Sequence, residues 1–378
     1  MRTKSGISRR GFIAQAAIGA AAASLGSPAS LSAISRYPEF DASPGPNPLR
    51  LNRNESPYGL APAAAEALKS AVDPKSSRYP IEEPKVLIEA IAKRFGVEND
   101  NVILGYGSTE ILKMATESFC NSARGALVAE PTFEAVVGYC PFIHARAQKV
   151  KLTSQHKHDL PKMLLASPSA GMIFYCNPSN PAGTYINKEE SERFVRRLPR
   201  RTVLLADEAY AEYVTAPDYE SCVRFVKEGL PVVVSRTFSK IYGMAGLRAG
   251  FAIARKDLLA RMTPWSAGAM PATAMAAAHA ALGETELIAA RKRGNADRRA
   301  DLMRFFDAHG FRYTPSVANH LMVDARMPTP AAIEELKRRN VYVGRPWPVW
   351  PTHVRVSIGS TEDMERFKSA FLGVVKTG

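Results

Sequence analysis

Lys240 is the residue whose neighbours most invite covalent chemistry. It lies in Val232-Val-Val-Ser-Arg-Thr-Phe-Ser-Lys240-Ile-Tyr-Gly-Met-Ala-Gly-Leu-Arg248. The β-branched run Val232 to Val234 predicts a buried strand. That strand delivers Thr237, Ser239 and Lys240 into a glycine-punctuated turn, and Arg248 follows eight residues after the lysine. A lysine amine forms a Schiff base with an aldehyde, and hydroxyls with an arginine hold a phosphate. The stretch therefore suits a phosphorylated aldehyde cofactor. Ser-Lys pairs are common, so taken alone it is equally a surface turn with ordinary basic residues.

Other segments offer partners. Asn101 to Leu104 predicts a strand that runs into Gly105-Tyr-Gly107-Ser108-Thr109-Glu110 and then a helix from Ile111 to Phe119. A glycine turn that opens a helix presents free N–H groups at the positive end of the helix dipole, which can cradle a phosphate; it is also often only a turn. Asp207 and Tyr210 follow directly behind the apolar run Val203-Leu-Leu-Ala, and Asn180 lies in Asn177-Pro-Ser-Asn180-Pro, where it can also be a plain turn residue. Phe133 follows another strand-like run and is equally a core aromatic. Arg355 precedes a strand-like run and is either a substrate-binding or a surface charge. Tyr58, in Asn52-Arg-Asn-Glu-Ser-Pro-Tyr58, anchors a loop or gates a substrate.

The elements that must position these residues alternate. Strands are predicted at Ala126–Ala129, Ala147–Leu152, Met172–Cys176 and Thr202–Ala206, with helices beginning at Phe133 and spanning Asp159–Leu165 and Lys188–Leu198. This alternation predicts an α/β domain with a largely parallel sheet, and in such sheets ligands bind beyond the carboxyl ends of strands. After a further strand at Phe251–Ala254 the chain turns helical, at Thr273–Leu282 and Glu284–His309. It then mixes predicted strands (Phe311–Thr314, His320–Asp324, Val341–Val343, Val354–Ile358) with helices at Pro330–Asn340 and Met364–Val375. The resulting division is a leader at 1–29, a linker at 30–48, an N-terminal part of a small domain at 49–75, a large domain at 76–275 and a C-terminal small domain at 276–378.

The chain has 378 residues and a formal net charge of +14. Its basic residues are spread along the chain and belong to no nucleic-acid module, so nucleic acid is not an expected partner. Cys120, Cys140, Cys176 and Cys222 form no ligand spacing, so no metal site is expected. Ser8-Arg9-Arg10-Gly11-Phe12-Ile13, the Ala-rich run to Leu25 and Ser27-Pro28-Ala29 resemble a twin-arginine export signal. The expectation is a periplasmic protein carried folded by the twin-arginine machinery; an uncleaved anchor or an amphipathic helix is the alternative.

Taken in order, Asn177-Pro-Ser-Asn180-Pro-Ala-Gly183, Asp207-Glu-Ala-Tyr210, Ser235-Arg-Thr-Phe-Ser-Lys240 and Arg248 resemble the class I/II pyridoxal-phosphate-dependent aminotransferases of fold type I. Leu51-Asn-Arg-Asn-Glu-Ser-Pro-Tyr58, Arg78-Tyr79-Pro80, Gly107-Ser108-Thr109-Glu110 and Arg355-Val-Ser-Ile-Gly359 bring the likeness closest to the histidinol-phosphate aminotransferase family, over residues 49–375. The resemblance implies a large α/β domain with a mostly parallel seven-stranded sheet plus a small α+β domain. It implies pyridoxal 5'-phosphate bound to Lys240 as a Schiff base, with an amino donor and a 2-oxo acid such as 2-oxoglutarate as substrates. Asp207 would pair with the cofactor's ring nitrogen, Asn180 and Tyr210 would bond its phenolic oxygen, and Phe133 would stack on its ring. Gly107, Ser108, Thr109, Thr237, Ser239 and Arg248 would hold the phosphate, joined by Tyr79 of a neighbouring subunit in a homodimer. Tyr58 and Arg355 would meet the substrate. A decarboxylase or lyase on the same scaffold, or a cofactor-binding protein without catalysis, are the alternatives. The chain departs from the family at Gly344, where an arginine is common and Arg345 comes one residue later, and at His320, where phenylalanine is frequent. Trp347 and Trp350 line an apolar pocket or pack the small domain.

Overall fold

The computed structural model describes residues 46–375. The expected leader at 1–29 and linker residues 30–45 lie outside the described residues. Eleven strands are described: β1 (Leu49–Leu51), β2 (Val102–Tyr106), β3 (Ala126–Glu130), β4 (Ala147–Lys151), β5 (Met172–Cys176), β6 (Val203–Asp207), β7 (Val232–Thr237), β8 (Ala249–Ala254), β9 (His320–Asp324), β10 (Val341–Val343) and β11 (His353–Ser357). Seven of them form one sheet in the order β2-β8-β7-β6-β5-β3-β4. β8 runs antiparallel to both neighbours, and the other pairs are parallel.

The central strands are buried on both faces, which explains their continuous apolar runs. Their side chains alternate between two cores. Ile173, Tyr175, Leu204, Ala206, Val232 and Val234 face one layer. Met172, Phe174, Cys176, Val203, Leu205 and Val233 face the other. Helix α1 (Pro62–Ser76) contributes Ala64 to the first layer and α2 (Glu83–Phe95) contributes Leu87 and Ile91. Helix α3 (Gly107–Phe119) buries Ile111, Leu112, Met114 and Phe119 in the second. A third core joins Leu49 and Leu51 to Leu302, Phe306, Val323, Val356 and Phe371. It is roofed by the antiparallel pair β9–β11 and by β1, which pairs in parallel with β10. Among the described residues no helix is long and apolar enough to cross a membrane.

One expectation fails. Phe311–Thr314 is not a strand; it makes a single bridge, Tyr313 to Val323. The next residue is Pro315, whose missing N–H cannot continue a ladder.

The carboxyl ends of β6 and β7 are tied by a buried ion network. Arg236 bonds Glu208 at 2.7 Å and Glu212 at 2.8 Å. Glu208 also accepts from Cys222 N at 2.6 Å and Ser221 Oγ at 2.7 Å. Removing the arginine leaves a buried carboxylate without its counter-charge, which costs about 3–5 kcal/mol. Arg236→Ala is therefore expected to lower the unfolding free energy by about that amount in urea titrations. Lys256→Ala, which breaks an exposed pair with Asp100, should leave it essentially unchanged.

Candidate active site

Two chain segments build an anion seat. β2 ends at Tyr106 and α3 starts at Gly107, whose φ is +71°. The backbone N–H groups of the first helical turn are left without intrahelical partners. The Glu110 carboxylate, from the same turn, accepts from Tyr106 N and from Ala267 N, both at 2.6 Å. Glycine is required beside this turn: a Cβ on Gly250 would lie 2.5 Å from Gly107 C and Ser108 N. A Cβ on Gly107 would meet the Arg248 guanidinium at 2.6 Å. From the end of β7, Thr237 Oγ1 donates to Ser239 Oγ at 3.0 Å and accepts from Ser239 N at 3.1 Å. Arg248 Nη1 donates to Ser239 Oγ at 3.5 Å and to Ala245 O at 2.9 Å, and its Nη2 donates to Tyr106 O at 3.4 Å. Gly107, Ser239 and Arg248 thus converge from β2, β7 and β8, with Ser108, Thr109 and Thr237 on the same two turns.

Lys240 lies next to this seat. Its Nζ donates to Arg53 O at 3.1 Å and stands 5.8 Å from the Tyr210 ring centroid. Enclosure by protein lowers the amine's pKa to about 8; the Arg355 and Arg248 charges push the same way, against Glu55 and Asp207. Asp207 closes β6. Burial raises its carboxyl to about 7, offset in part by the Ala209 N–H and by Lys240. Its Oδ2 is 4.0 Å from Cys176 Sγ, and its Oδ1 has no hydrogen-bond partner among the described residues. A buried carboxylate oxygen without a donor is costly, and a cationic or N–H group would relieve it.

Tyr210 accepts a hydrogen bond from Asn54 Nδ2 at 3.0 Å. Arg355 donates through Nη1 to Asn180 Oδ1 at 2.9 Å and through Nη2 to Asn52 O at 2.7 Å. Burial lowers its pKa to about 10. Gly344 makes room for it: a Cβ there would sit 2.9 Å from Arg355 Cβ and 3.0 Å from Nε. Arg345 pairs instead with Glu134 and covers the Trp347 ring at 3.8 Å.

Three sequence-derived candidates make no hydrogen bond within this cluster among the described residues. Phe133 packs against the second core and makes no ring contact among the described residues. Tyr79 is 94% exposed. Tyr58 lies between the guanidinium groups of Arg291, at 5.7 Å, and Arg298, at 5.2 Å. Sequence reasoning missed the supporting residues Asn52, Arg53, Asn54 and Asn319. Asn54 N donates to Ser357 Oγ at 2.8 Å and Asn319 Nδ2 donates to Asn54 O at 2.9 Å. Asn52, Arg53 and Asn54 lie in the Leu51-Asn-Arg-Asn-Glu-Ser-Pro-Tyr58 motif, and Asn319 immediately precedes β9. Among the described residues no group of His, Cys, Asp and Glu is placed to hold a metal ion. A cavity of about 420 Å³ lies beside the anion seat, lined by Tyr106, Thr109, Arg248 and Trp265.

Residues 46–371 match the family model of aminotransferase class I and II. The histidinol-phosphate aminotransferase of Moorella thermoacetica is 34% identical over 327 residues, covering 84% of this chain and 83% of that protein. The corresponding enzyme of Bacillus subtilis strain 168 is 32% identical over 324 residues, covering 84% and 89%. The fold is shared with the crystal structure of histidinol-phosphate aminotransferase from Sinorhizobium meliloti in complex with pyridoxal-5'-phosphate, with a TM-score of 0.80 at 24% identity over 91% of this chain and 98% of that one. With a lysine, a buried carboxylate and an anion seat on a mostly parallel sheet, this chain belongs to the class I and II aminotransferases and is a pyridoxal-phosphate-dependent transaminase.

Proposed function

We propose that this enzyme takes the amino group of an amino acid, or of an amine resembling histidinol phosphate, and passes it to a 2-oxo acid such as 2-oxoglutarate, with Lys240 as its catalytic residue. The observation that carries this reading is the buried, unpartnered Oδ1 of Asp207 within electrostatic reach of the Lys240 amine. The residues fit pyridoxal phosphate. Gly107 and Gly250 leave a cradle that a Cβ would fill, and Arg248 and Ser239 border it. When bound, the cofactor supplies an electron sink for the carbanion at the amino-bearing carbon.

The chain's own residues then divide the work. The N–H groups of Gly107, Ser108 and Thr109, the hydroxyls of Thr237 and Ser239 and the Arg248 guanidinium hold the phosphate. Asp207 Oδ1 would pair with the ring N–H, and Asn180 and Tyr210 would bond the phenolic oxygen. Phe133 would flank the ring. Lys240 Nζ would take the proton from the substrate's Cα and deliver it to the cofactor's former aldehyde carbon, on the far side of the shared nitrogen, a task suited to an amine with a pKa near the working pH. Arg355 grips the anionic end of the substrate, and Tyr58 borders the entrance.

Two further assignments rest on exposed and leader residues. We assign a homodimer in which the partner subunit's Tyr79 joins the phosphate; the 94% exposure of Tyr79 and the 69% exposure of Ile81 on one loop support it. We assign a periplasmic location through the twin-arginine route, supported by Ser8-Arg9-Arg10-Gly11-Phe12 and the apolar run behind it.

Three outcomes follow. A panel of amino donors that includes histidinol phosphate and aromatic amino acids, with 2-oxoglutarate as acceptor, should yield glutamate with at least one donor. Arg355→Ala should lower kcat/KM for that donor roughly 10- to 100-fold while the visible absorbance of the cofactor is kept. A panel without any turnover would exclude transamination by this chain under this reading.

Cofactor-free protein should capture pyridoxal phosphate faster as pH rises, because only the neutral amine attacks, and the rate should level off above about 8. A rate still climbing at the pKa of a solvent-exposed lysine would contradict the lowered amine, and Lys240→Ala should develop no visible band.

For the leader, Arg9→Lys combined with Arg10→Lys should retain the protein in the cytoplasm. An unchanged periplasmic fraction would remove the export assignment.

A further inference from the structure

A second cavity is built by residues outside the site described above. It has a volume of about 840 Å³ and is lined from helix α4 (Leu160–Ala166) and helix α5 (Lys188–Val195). Lys240, Asp207, Arg248 and Arg355 take no part in its lining. Small-molecule pockets typically span about 300–1,000 Å³, with mostly apolar walls and a few polar groups that orient the ligand.

The apolar wall follows from the local sequence. Asp159 caps α4 by accepting from Lys162 N at 3.2 Å, and the helix buries Met163 in the first core. Leu160 and Leu164 are one turn apart, so they share a face. They pack against the edge of that core, which also holds Phe194 of α5, and stay half-buried. Leu165 follows at 83% exposure. A lone exposed leucine is ordinary, but this one extends an apolar wall that the fold leaves open.

The charged side chains of the lining are Lys157, Arg193 and Arg197, against the single carboxylate of Glu190. That carboxylate is engaged: it accepts from Asn187 N at 3.3 Å and lies 3.8 Å from Lys157 Nζ. The neighbouring Arg196 bonds Glu192 and Glu228, both at 2.8 Å. Arg193 and Arg197 form no ion pair and no side-chain hydrogen bond among the described residues. Two unpaired guanidinium groups beside an apolar wall complement a molecule with an apolar body and an anionic head. A neutral ligand leaves their charge unmatched, and a cationic one is repelled.

We propose that this cavity binds a free amphipathic carboxylate of the medium-chain fatty acid type, with its hydrocarbon chain against Leu160, Leu164, Leu165 and Phe194 and its carboxylate on Arg193 and Arg197. The site is separate from the reaction centre, so the inference does not depend on the function proposed above.

The test uses the purified full-length enzyme with its cofactor bound. Decanoate and decyltrimethylammonium, which pair similar tails with opposite headgroups, are titrated separately by calorimetry below their micelle concentrations. Decanoate is expected to bind saturably, more tightly than the cation, and less tightly as salt is raised. Arg193→Gln combined with Arg197→Gln should raise its Kd about tenfold, which corresponds to about 1.4 kcal/mol. Leu165→Glu, a polar substitution at an exposed position, should also raise it by setting a carboxylate beside the apolar wall. Both variants should keep the wild-type visible absorbance of the cofactor. No saturable binding, equal Kd values for the two amphiphiles, or a decanoate Kd unchanged in both variants would overturn the proposal and leave the aminotransferase reading intact. Decanoate binding that is abolished by a saturating amino donor would place the carboxylate in the catalytic site and overturn it as well.

Discussion

Arg355 holds the site together. One guanidinium bonds Asn180 on the loop after β5 and the carbonyl of Asn52 in the N-terminal segment. It therefore ties together three stretches of chain, one from the carboxyl end of β5 in the large sheet and two from the β1 and β11 side. Its two η nitrogens are occupied by neutral acceptors, and its Nε has no hydrogen-bond partner among the described residues. A buried guanidinium that forms no ion pair among the described residues carries a net positive field, which an anionic group can offset. Gly344 belongs to the same constraint, because any side chain there would occupy the space of Arg355.

That field and the low local polarity act on opposite charges in opposite ways. Burial disfavours the charged form of both Lys240 and Asp207, lowering the amine to about 8 and raising the carboxyl to about 7. Arg355 adds to the effect on the amine. One environment thus prepares a lysine that is nucleophilic near neutral pH. It also leaves Asp207 Oδ1 buried without a hydrogen-bond partner among the described residues. The cost of this arrangement is met by surrounding structure: the Arg236–Glu208–Glu212 network directly behind Asp207 satisfies the other buried charges of the same strand ends.

The large domain was readable because its information is local. Met172–Cys176 is an apolar run, and it occurs as a strand with those bounds. Asp207, Tyr210 and Lys240 could be placed at strand ends because each directly follows such a run, and that is where an α/β sheet presents its ligands. What could not be read this way was non-local. β1 is three residues long and is a strand only because Val341–Val343 lies beside it in the fold. Phe311–Thr314 has strand-like composition, but its hydrogen bonds to β9 are interrupted at Pro315.

Residue types and spacing alone determined the chemistry available to this protein: a lysine among hydroxyls, a carboxylate behind a buried strand, a glycine turn opening a helix, and the family these resemble. Tertiary structure decided which of those residues meet. It brought Asn52 and Asn54 against Arg355 and Tyr210, and left Tyr79 in solvent and Phe133 against the core. It also set His320 edge-on to Tyr210. The physical reason is range. Strand and helix signals come from neighbours a few residues apart, whereas hydrogen bonds such as Asn54 to Ser357 join residues 303 positions apart and exist only once three hydrophobic cores have packed.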